Sequence, residues 1–194
     1  MPFERLRIVL VDDQVARRGD LERALVEAGY EVAARLSSGG DLRARVAELS
    51  PDLLIVDLQS PDRDVLEDMQ RMHQEQPRPM VMFVDESDSQ SIQTAVRAGV
   101  SAYVVGGLPA RRIRPIVEVA IARFEQFQSL RTELAETRER LDQRKLIDRA
   151  KGILMSKRGV SEDEAYRLLR KTAMDRKARL VEVARNVIEL AELL

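Results

Sequence analysis

Residues 6–13 read Leu-Arg-Ile-Val-Leu-Val-Asp-Asp, and residues 53–57 read Leu-Leu-Ile-Val-Asp. Each is a short apolar run that ends on a carboxylate. Runs this short and this uniformly apolar are strands covered on both faces, as in a parallel sheet. The flanking sequence supplies the rest of the pattern. Residues 14–28 place Val15, Leu21 and Leu25 at helical spacing and stop at Gly29. Tyr30 to Leu36 is a second strand. Leu42, Val46 and Leu49 mark a short helix, broken at Ser50-Pro51. A helix near 63–75, a strand from Pro79 to Val84, a helix over 88–98 and a strand over Ala102-Val105 follow. Strands alternating with helices in this way predict an α/β doubly wound parallel sheet. In such sheets ligands bind at the carboxyl ends of the strands.

A chain of 194 residues holds one ordinary domain and a smaller second one. Aromatics make up only 4%, so the core must be Leu, Val, Ile and Ala. There is no Cys, which excludes disulfides and thiolate metal sites. The single His, His73, excludes multi-His sites. With no phosphate-cradling Gly-rich loop either, the chain is not expected to be an enzyme. No apolar run reaches membrane-spanning length. The first residues, Met-Pro-Phe-Glu-Arg-Leu-Arg, lack the apolar stretch of a signal peptide, so a cytoplasmic protein with no membrane contact is expected.

From about Pro109 the strand signal is lost. Ile113, Ile116, Val117, Ala120, Ile121 and Phe124 form a helical stripe. It continues as Phe127, Leu130, Leu134, Thr137 and Leu141, spaced 3, 4, 3, 4, an a/d seam flanked by Arg and Glu. No Gly or Pro interrupts residues 116–151. One long helix is expected. Its seam either folds back on its own domain or pairs with a second copy through Phe127, Leu130, Leu134 and Leu141. The run is too long for one small domain to cover, which favours a coiled-coil homodimer.

The long helix should end near Gly159, with Lys157 and Arg158 favourably placed in its last turn. Ser161 and Glu164 have capping-box spacing and open a helix over about 162–175. Met174 to Lys177 marks a turn. Leu180, Val183, Ala184, Val187, Ile188 and Ala191 line a last helix over about 180–193. The organisation expected is residues 1–124, a linker helix over 125–141, and an all-α three-helix tail over 142–194. That tail holds thirteen Lys and Arg against nine Asp and Glu, a net of +4, which leaves −5 on the remainder. A basic tail of this kind is either the seat of a polyanionic partner or a solvated helical face.

Three carboxylates stand at strand ends: Asp12, Asp13 and Asp57. First and third strands are neighbours in a doubly wound sheet, so the three converge. Clustered carboxylates repel unless a cation or a proton intervenes. Oxygen ligands with open water positions suit Mg2+, and the same place could carry a phosphoryl group on Asp57. Residues 5–124 resemble a response-regulator receiver domain, on Val-Leu-Val-Asp-Asp-Gln at 9–14 and on Asp57 in residues 53–61. The resemblance implies a flavodoxin-like fold and Asp57 as the acceptor of phosphate from a histidine kinase in a two-component phosphorelay. Two positions depart from it. Receivers carry Ser or Thr at the end of the fourth strand, where this chain has Val84. They carry Lys after the fifth strand, where this chain has Gly106 and Gly107. The hydroxyl and the amine that sense phosphate are therefore missing. Phosphorylation is expected not to be the main control, and no cofactor is required.

The tail carries a denser match. Arg144-Lys145-Leu146-Ile147-Asp148-Arg149-Ala150-Lys151-Gly152-Ile153-Leu154-Met155 is followed by Gly159, Ser161, Glu162, Glu164-Ala165-Tyr166, Leu169-Arg170, Ala173-Met174 and Val183-Ala184. Over about 140–194 this is similar to the ANTAR domain of transcription antitermination regulators. The resemblance implies binding to paired hairpins in a leader RNA, which keeps the terminator hairpin from closing. The residues suit that chemistry. Arg144, Lys145, Arg149 and Lys151 can present cations to phosphates or loop bases. RNA sequence is read mostly in unpaired loops, by stacking and base-edge hydrogen bonds. Tyr166 is the tail's single aromatic, and Arg170, Lys171, Met174, Arg176 and Lys177 extend the surface. Leu169 and Ala173 are core, whereas Tyr166 and Met174 either reach RNA or join them. Gly152 costs a helix about 1 kcal/mol relative to Ala; close packing or close RNA approach would each explain it.

Gln59-Ser60-Pro61 with Arg63-Asp64, Ala102-Tyr103-Val104-Val105 with Gly107-Leu108, and Arg123-Phe124-Glu125 resemble the NasT-type members. That resemblance implies control of nitrate and nitrite assimilation genes. It also implies a NasS-like nitrate/nitrite sensor protein that holds the regulator inactive until its ligand arrives. The alternative is a phosphorylation-controlled two-component response regulator acting on nucleic acid.

Overall fold

Side chains of β1 (Arg7–Asp12) alternate between two buried layers, as the pleat requires. Ile8 and Leu10 enter one core and Val9 and Val11 the other, all fully buried. The same division runs through β3 (Leu53–Leu58) and β4 (Met80–Val84), and the sheet is completed by β2 (Glu31–Leu36) and β5 (Ala102–Val105). The strand order is β2-β1-β3-β4-β5, every neighbouring pair parallel. This is the flavodoxin-like doubly wound order, with its switch between β1 and β3. The structure is a computed structural model and describes residues 6–13, 20–106 and 112–192. Val15, at the start of the expected first helix, Gly107 with Leu108, Pro109 and residue 193 lie outside the described residues.

One face of the sheet is covered by α2 (Leu42–Leu49), α3 (Arg63–Glu75) and α4 (Ser89–Arg97). Leu42, Val46, Val65, Leu66, Met69, Met72 and Ala95 come down from them onto Val9, Val11, Leu54, Val56 and Met82. The other face is covered by α1 (Asp20–Glu27) and the start of α5 (Ile113–Arg158), through Leu21, Leu25, Ile113, Val117 and Ala120. Local chemistry sets the helix starts. Asp62 and Asp88 cap α3 and α4 by accepting from Val65 N at 2.8 Å and Ser91 N at 2.7 Å.

The chain divides into two compact units, Met1–Gln128 and Ser129–Leu194. Helix α5 is 46 residues long and contributes to both. It stops at Gly159, which adopts φ +67°, a conformation that favours glycine. In the second unit, the last part of α5 packs with α6 (Glu162–Arg176) and α7 (Leu180–Glu192). Ala150, Leu169, Ala173, Val183, Ala184 and Ile188 form its buried centre. Ser161 and Glu164 make both bonds of the capping box. The turn after α6 differs from expectation: Met174, Asp175 and Arg176 remain helical. The helix closes instead at Lys177, whose left-handed backbone lets its N–H reach the carbonyls of Ala173 and Met174.

Phe127, Leu130, Leu134 and Leu141 are each more than half exposed along α5. Among the described residues, no helix is long and apolar enough to cross a membrane.

Candidate nucleic-acid interface

Helix α6 has two faces set by its period. Ala165, Leu169 and Ala173 recur every four residues and are buried. Tyr166, Arg167, Arg170, Lys171, Met174 and Lys177 recur at three- and four-residue spacing on the opposite side and are exposed. Met174 is 71% and Tyr166 42% exposed, so neither is core. Among the described residues, no ion pair engages Arg170, Lys171, Arg176 or Lys177. Their charges stay available to an external anion. Arg176 is exposed but lies on the other side of the helix by phase.

The cations of α5 are engaged differently. Lys151 Nζ contacts Asp148 Oδ1 at 2.7 Å and Glu162 Oε1 at 2.6 Å, with its side chain only 15% exposed. The hydrogen bond to Asp148, then that to Glu162, raises the Lys151 pKa, and the same bond from Lys151 lowers that of Asp148. Lys151 thus ties α5 to the start of α6 across the Gly159 turn. Arg149 pairs with Glu192 of α7 at 2.7 Å. Lys145 lies 3.5 Å from Asp142, and Arg144 lies 3.9 Å from Asp148.

A cleft of about 390 Å3 opens beside these groups, lined by Arg140, Gln143, Arg144, Ile147, Asp148, Lys151, Tyr166 and Leu180. The structure therefore brings Arg144, Lys151 and Tyr166 together. It places Lys145 and Arg149 outside that cleft lining. Arg140, Gln143 and Arg167 were missed by sequence reasoning. The first two could have been found from their helical phase with Arg144, Ile147 and Lys151. Gly152 is exposed, and a Cβ added there would meet nothing within 4 Å. Close packing inside the chain does not explain it.

At the carboxyl edge of the sheet, Asp12 and Asp57 are register partners on β1 and β3. The three-carboxylate convergence does not follow. Asp12 is buried and ion-paired with Arg35 of β2. Asp13 accepts from Ser38 N at 2.8 Å and also from the Ser38 hydroxyl. Among the described residues, no group of three or more His, Cys, Asp or Glu is placed to hold a metal ion. The arrangement does not fit Mg2+, because a guanidinium already supplies positive charge to Asp12. Val84 is buried at the end of β4. Gly106 has φ +89°, and its N–H donates to the Val84 carbonyl at 3.0 Å. A backbone turn that favours glycine thus stands where the receiver pattern has a lysine.

A receiver-type sheet followed by a small helical unit with an exposed basic face defines a response regulator with a helical output module. Residues 8–118 match the response regulator receiver domain family and residues 135–188 the ANTAR domain family. The chain belongs to the ANTAR-domain response regulators. It is 34% identical over 184 residues to the transcriptional regulatory protein PdtaR of Mycobacterium tuberculosis (strain CDC 1551 / Oshkosh), covering 94% of this chain and 89% of that protein. It is 41% identical over 68 residues to the nitrate regulatory protein of Klebsiella oxytoca, covering 35% of this chain and 17% of that protein. Among solved structures, the signal receiver domain of a modulated diguanylate cyclase from Desulfovibrio desulfuricans G20 shares the fold. That match has a TM-score of 0.55 at 22% identity and covers 63% of this chain and 98% of that one.

Proposed function

We propose that the chain is a transcription antiterminator that binds paired hairpins in the leader RNA of nitrate and nitrite assimilation genes. The observation that carries this reading is the α6 face, where Tyr166, Arg170, Lys171, Met174 and Lys177 are exposed together and, among the described residues, no ion pair engages the cations. Arg144, Lys145, Arg149 and Lys151 of α5 and Arg176 of α6 are further candidates for RNA contact, the α5 cations from within ion pairs that RNA would have to share or displace. RNA contacts made by such a face would release counterions, so binding weakens steeply with salt. The nitrate assignment rests on the NasT-type sequence pattern and on the similarity to a nitrate regulatory protein.

In this reading the domain plan is a receiver-like domain over 1–124, a coiled-coil linker over 125–141 and the RNA-binding domain over 142–194. Two copies pair along Phe127, Leu130, Leu134 and Leu141. A NasS-like sensor protein restrains the regulator by docking on the receiver. That role is supported by Val84 and Gly106, which lack phosphate-sensing groups. It is also supported by a cleft of about 510 Å3 on the receiver, lined by Arg63, Glu67 and Gln70 of α3 and Gln90, Thr94 and Arg97 of α4. A gel shift of the full chain with its leader RNA against promoter duplex DNA tests the core of the proposal. Preference for the duplex would overturn it.

One observation favours a second reading, phosphorylation control. Asp57 remains partly exposed at the carboxyl end of β3, beside Asp12. Acetyl phosphate labelling of Asp57 coupled to a change in RNA affinity would select that reading over sequestration.

A further inference from the structure

We infer that the cleft between α5, α6 and the start of α7 is a receptor for one unpaired nucleotide of the bound RNA. This rests on the RNA-binding reading above and adds to it where a loop base would be seated. The volume of about 390 Å3 falls in the ordinary small-ligand range of ~300–1,000 Å3. Its walls divide by chemistry. Tyr166 offers a partly exposed aromatic face, and Ile147 and Leu180 offer apolar surface. Those suit the flat body of a base. Arg140 and Arg144 stand on the rim with side chains 77% and 82% exposed, suited to a flanking phosphate.

The cleft is also lined by Asp148, Gln143 and Lys151, groups suited to a base edge. Asp148 is held by Lys151 at 2.7 Å and by Arg144 at 3.9 Å, and the Lys151 bond lowers its pKa. It therefore stays a carboxylate, an acceptor only. Gln143 can donate or accept. Lys151 is itself fixed between Asp148 and Glu162, so the polar groups are oriented before any ligand arrives. A carboxylate beside a stacking platform favours a base that carries an exocyclic amino group, because its lone pairs accept from an amino edge and repel a carbonyl edge. Guanine, adenine and cytosine carry such a group, whereas uracil offers only a ring N–H set between two carbonyls and is disfavoured there. A free polyanion such as heparin would satisfy the rim but leave Asp148 facing an acceptor. The cleft is therefore a place for a base and not only for phosphate.

The test uses the full chain and a pool of RNA hairpins with randomised loops, from which binders are selected and measured by fluorescence anisotropy. Each loop nucleotide of a selected hairpin is then made abasic in turn. The expected result is one position whose abasic replacement weakens binding by roughly 5- to 150-fold, the scale of one base–aromatic stack. Tyr166→Ala should cost a similar factor on the intact hairpin and little more on the abasic one, since both remove the same contact. Tyr166→Phe should keep the affinity. Asp148→Asn should reduce discrimination against uracil at that position, with helicity unchanged by circular dichroism. If the hairpins bind but Tyr166→Ala and Asp148→Asn match the unaltered chain at every loop position, the cleft is not a base receptor and the RNA reading survives. If Tyr166→Ala weakens a loopless duplex by the same factor, the cleft meets backbone only and the inference fails. If no hairpin in the pool binds, both readings fall.

Discussion

Replacing Arg170, Lys171 and Lys177 by Ala together removes three exposed cations from one face of α6 and no internal ion pair. The fold should therefore be little affected, because surface substitutions away from specific contacts usually change stability by no more than about 0.5 kcal/mol. The effect on RNA binding is large and has a particular form. Each phosphate contact contributes about 0.7 to 0.9 to the slope of log K against log salt concentration. If all three cations meet phosphates, the slope becomes shallower by about 2 to 3. Between 50 and 200 mM salt, the variant should then lose roughly 20- to 40-fold less affinity than the unaltered chain. Anisotropy titrations at four or five salt concentrations read this directly. Lys151→Ala is the control with the opposite expectation. It breaks two short ion pairs and leaves Asp148 and Glu162 facing each other across the α5–α6 turn, so it should lower the melting temperature of the second unit. A triple variant with an unchanged salt slope and unchanged affinity would show that the α6 face is solvated surface, and the functional reading would lose its main support.

Leu134→Glu with Leu141→Glu puts charge into the exposed α5 seam; sedimentation should report loss of the dimer with helicity retained, and a monomeric unaltered chain would refute the pairing. Leu169→Ala truncates a side chain that is 1% exposed in the second unit. It should cost about 2–5 kcal/mol, read by chemical denaturation, with β-sheet signals from the first unit persisting. Gly152→Ala should stabilise α5 by about 1 kcal/mol, since nothing lies within 4 Å of the added Cβ; weaker RNA binding alongside the gain would mark close RNA approach there. Hydrogen bonding from Ser161 depresses the Glu164 pKa below its ordinary value of 4.5. A depressed carboxylate stabilises the fold above its unfolded pKa and loses that contribution as pH falls through the folded value. The unaltered chain should thus lose stability on acidification below about pH 4.5, and Glu164→Gln should flatten that part of the profile; parallel profiles would assign the acid sensitivity elsewhere.

The sheet was legible because burial on both faces forces a strand to be apolar throughout, and β1, β3 and β4 have no other way to read. The switch between β1 and β3 followed from the same pattern, which is why Asp12 and Asp57 were expected side by side. The Arg35–Asp12 pair was not legible. It depends on the β1–β2 register, which slips between Ile8 and Val9 so that Leu10 faces Arg35. A one-residue slip changes which side chains can meet, and nothing in the local pattern of Glu31–Leu36 announces it.

The basic tail had a different kind of ambiguity. Composition counts charges, but function depends on which charges are left unpaired after folding. Lys145, Arg149 and Lys151 looked like the strongest anion-binding group because they sit within two turns of one helix. In the folded unit, Arg149 and Lys151 are drawn to Glu192 and Glu162, residues 43 and 11 positions away. Among the described residues, no ion pair engages Arg170, Lys171 or Lys177, although Asp175 stands four residues after Lys171 on α6. The capping-box end of α6 contributes to this, because three of the four acidic residues of the helix, Glu162, Asp163 and Glu164, lie in its first turn, where the helix dipole favours them. The same arrangement leaves Arg167, Arg170, Lys171 and Lys177 with Asp175 as the one acid beyond the first turn of α6. A device that starts a helix thereby also separates its charges along the axis. That separation, more than the tail's net charge, gives α6 a surface suited to RNA.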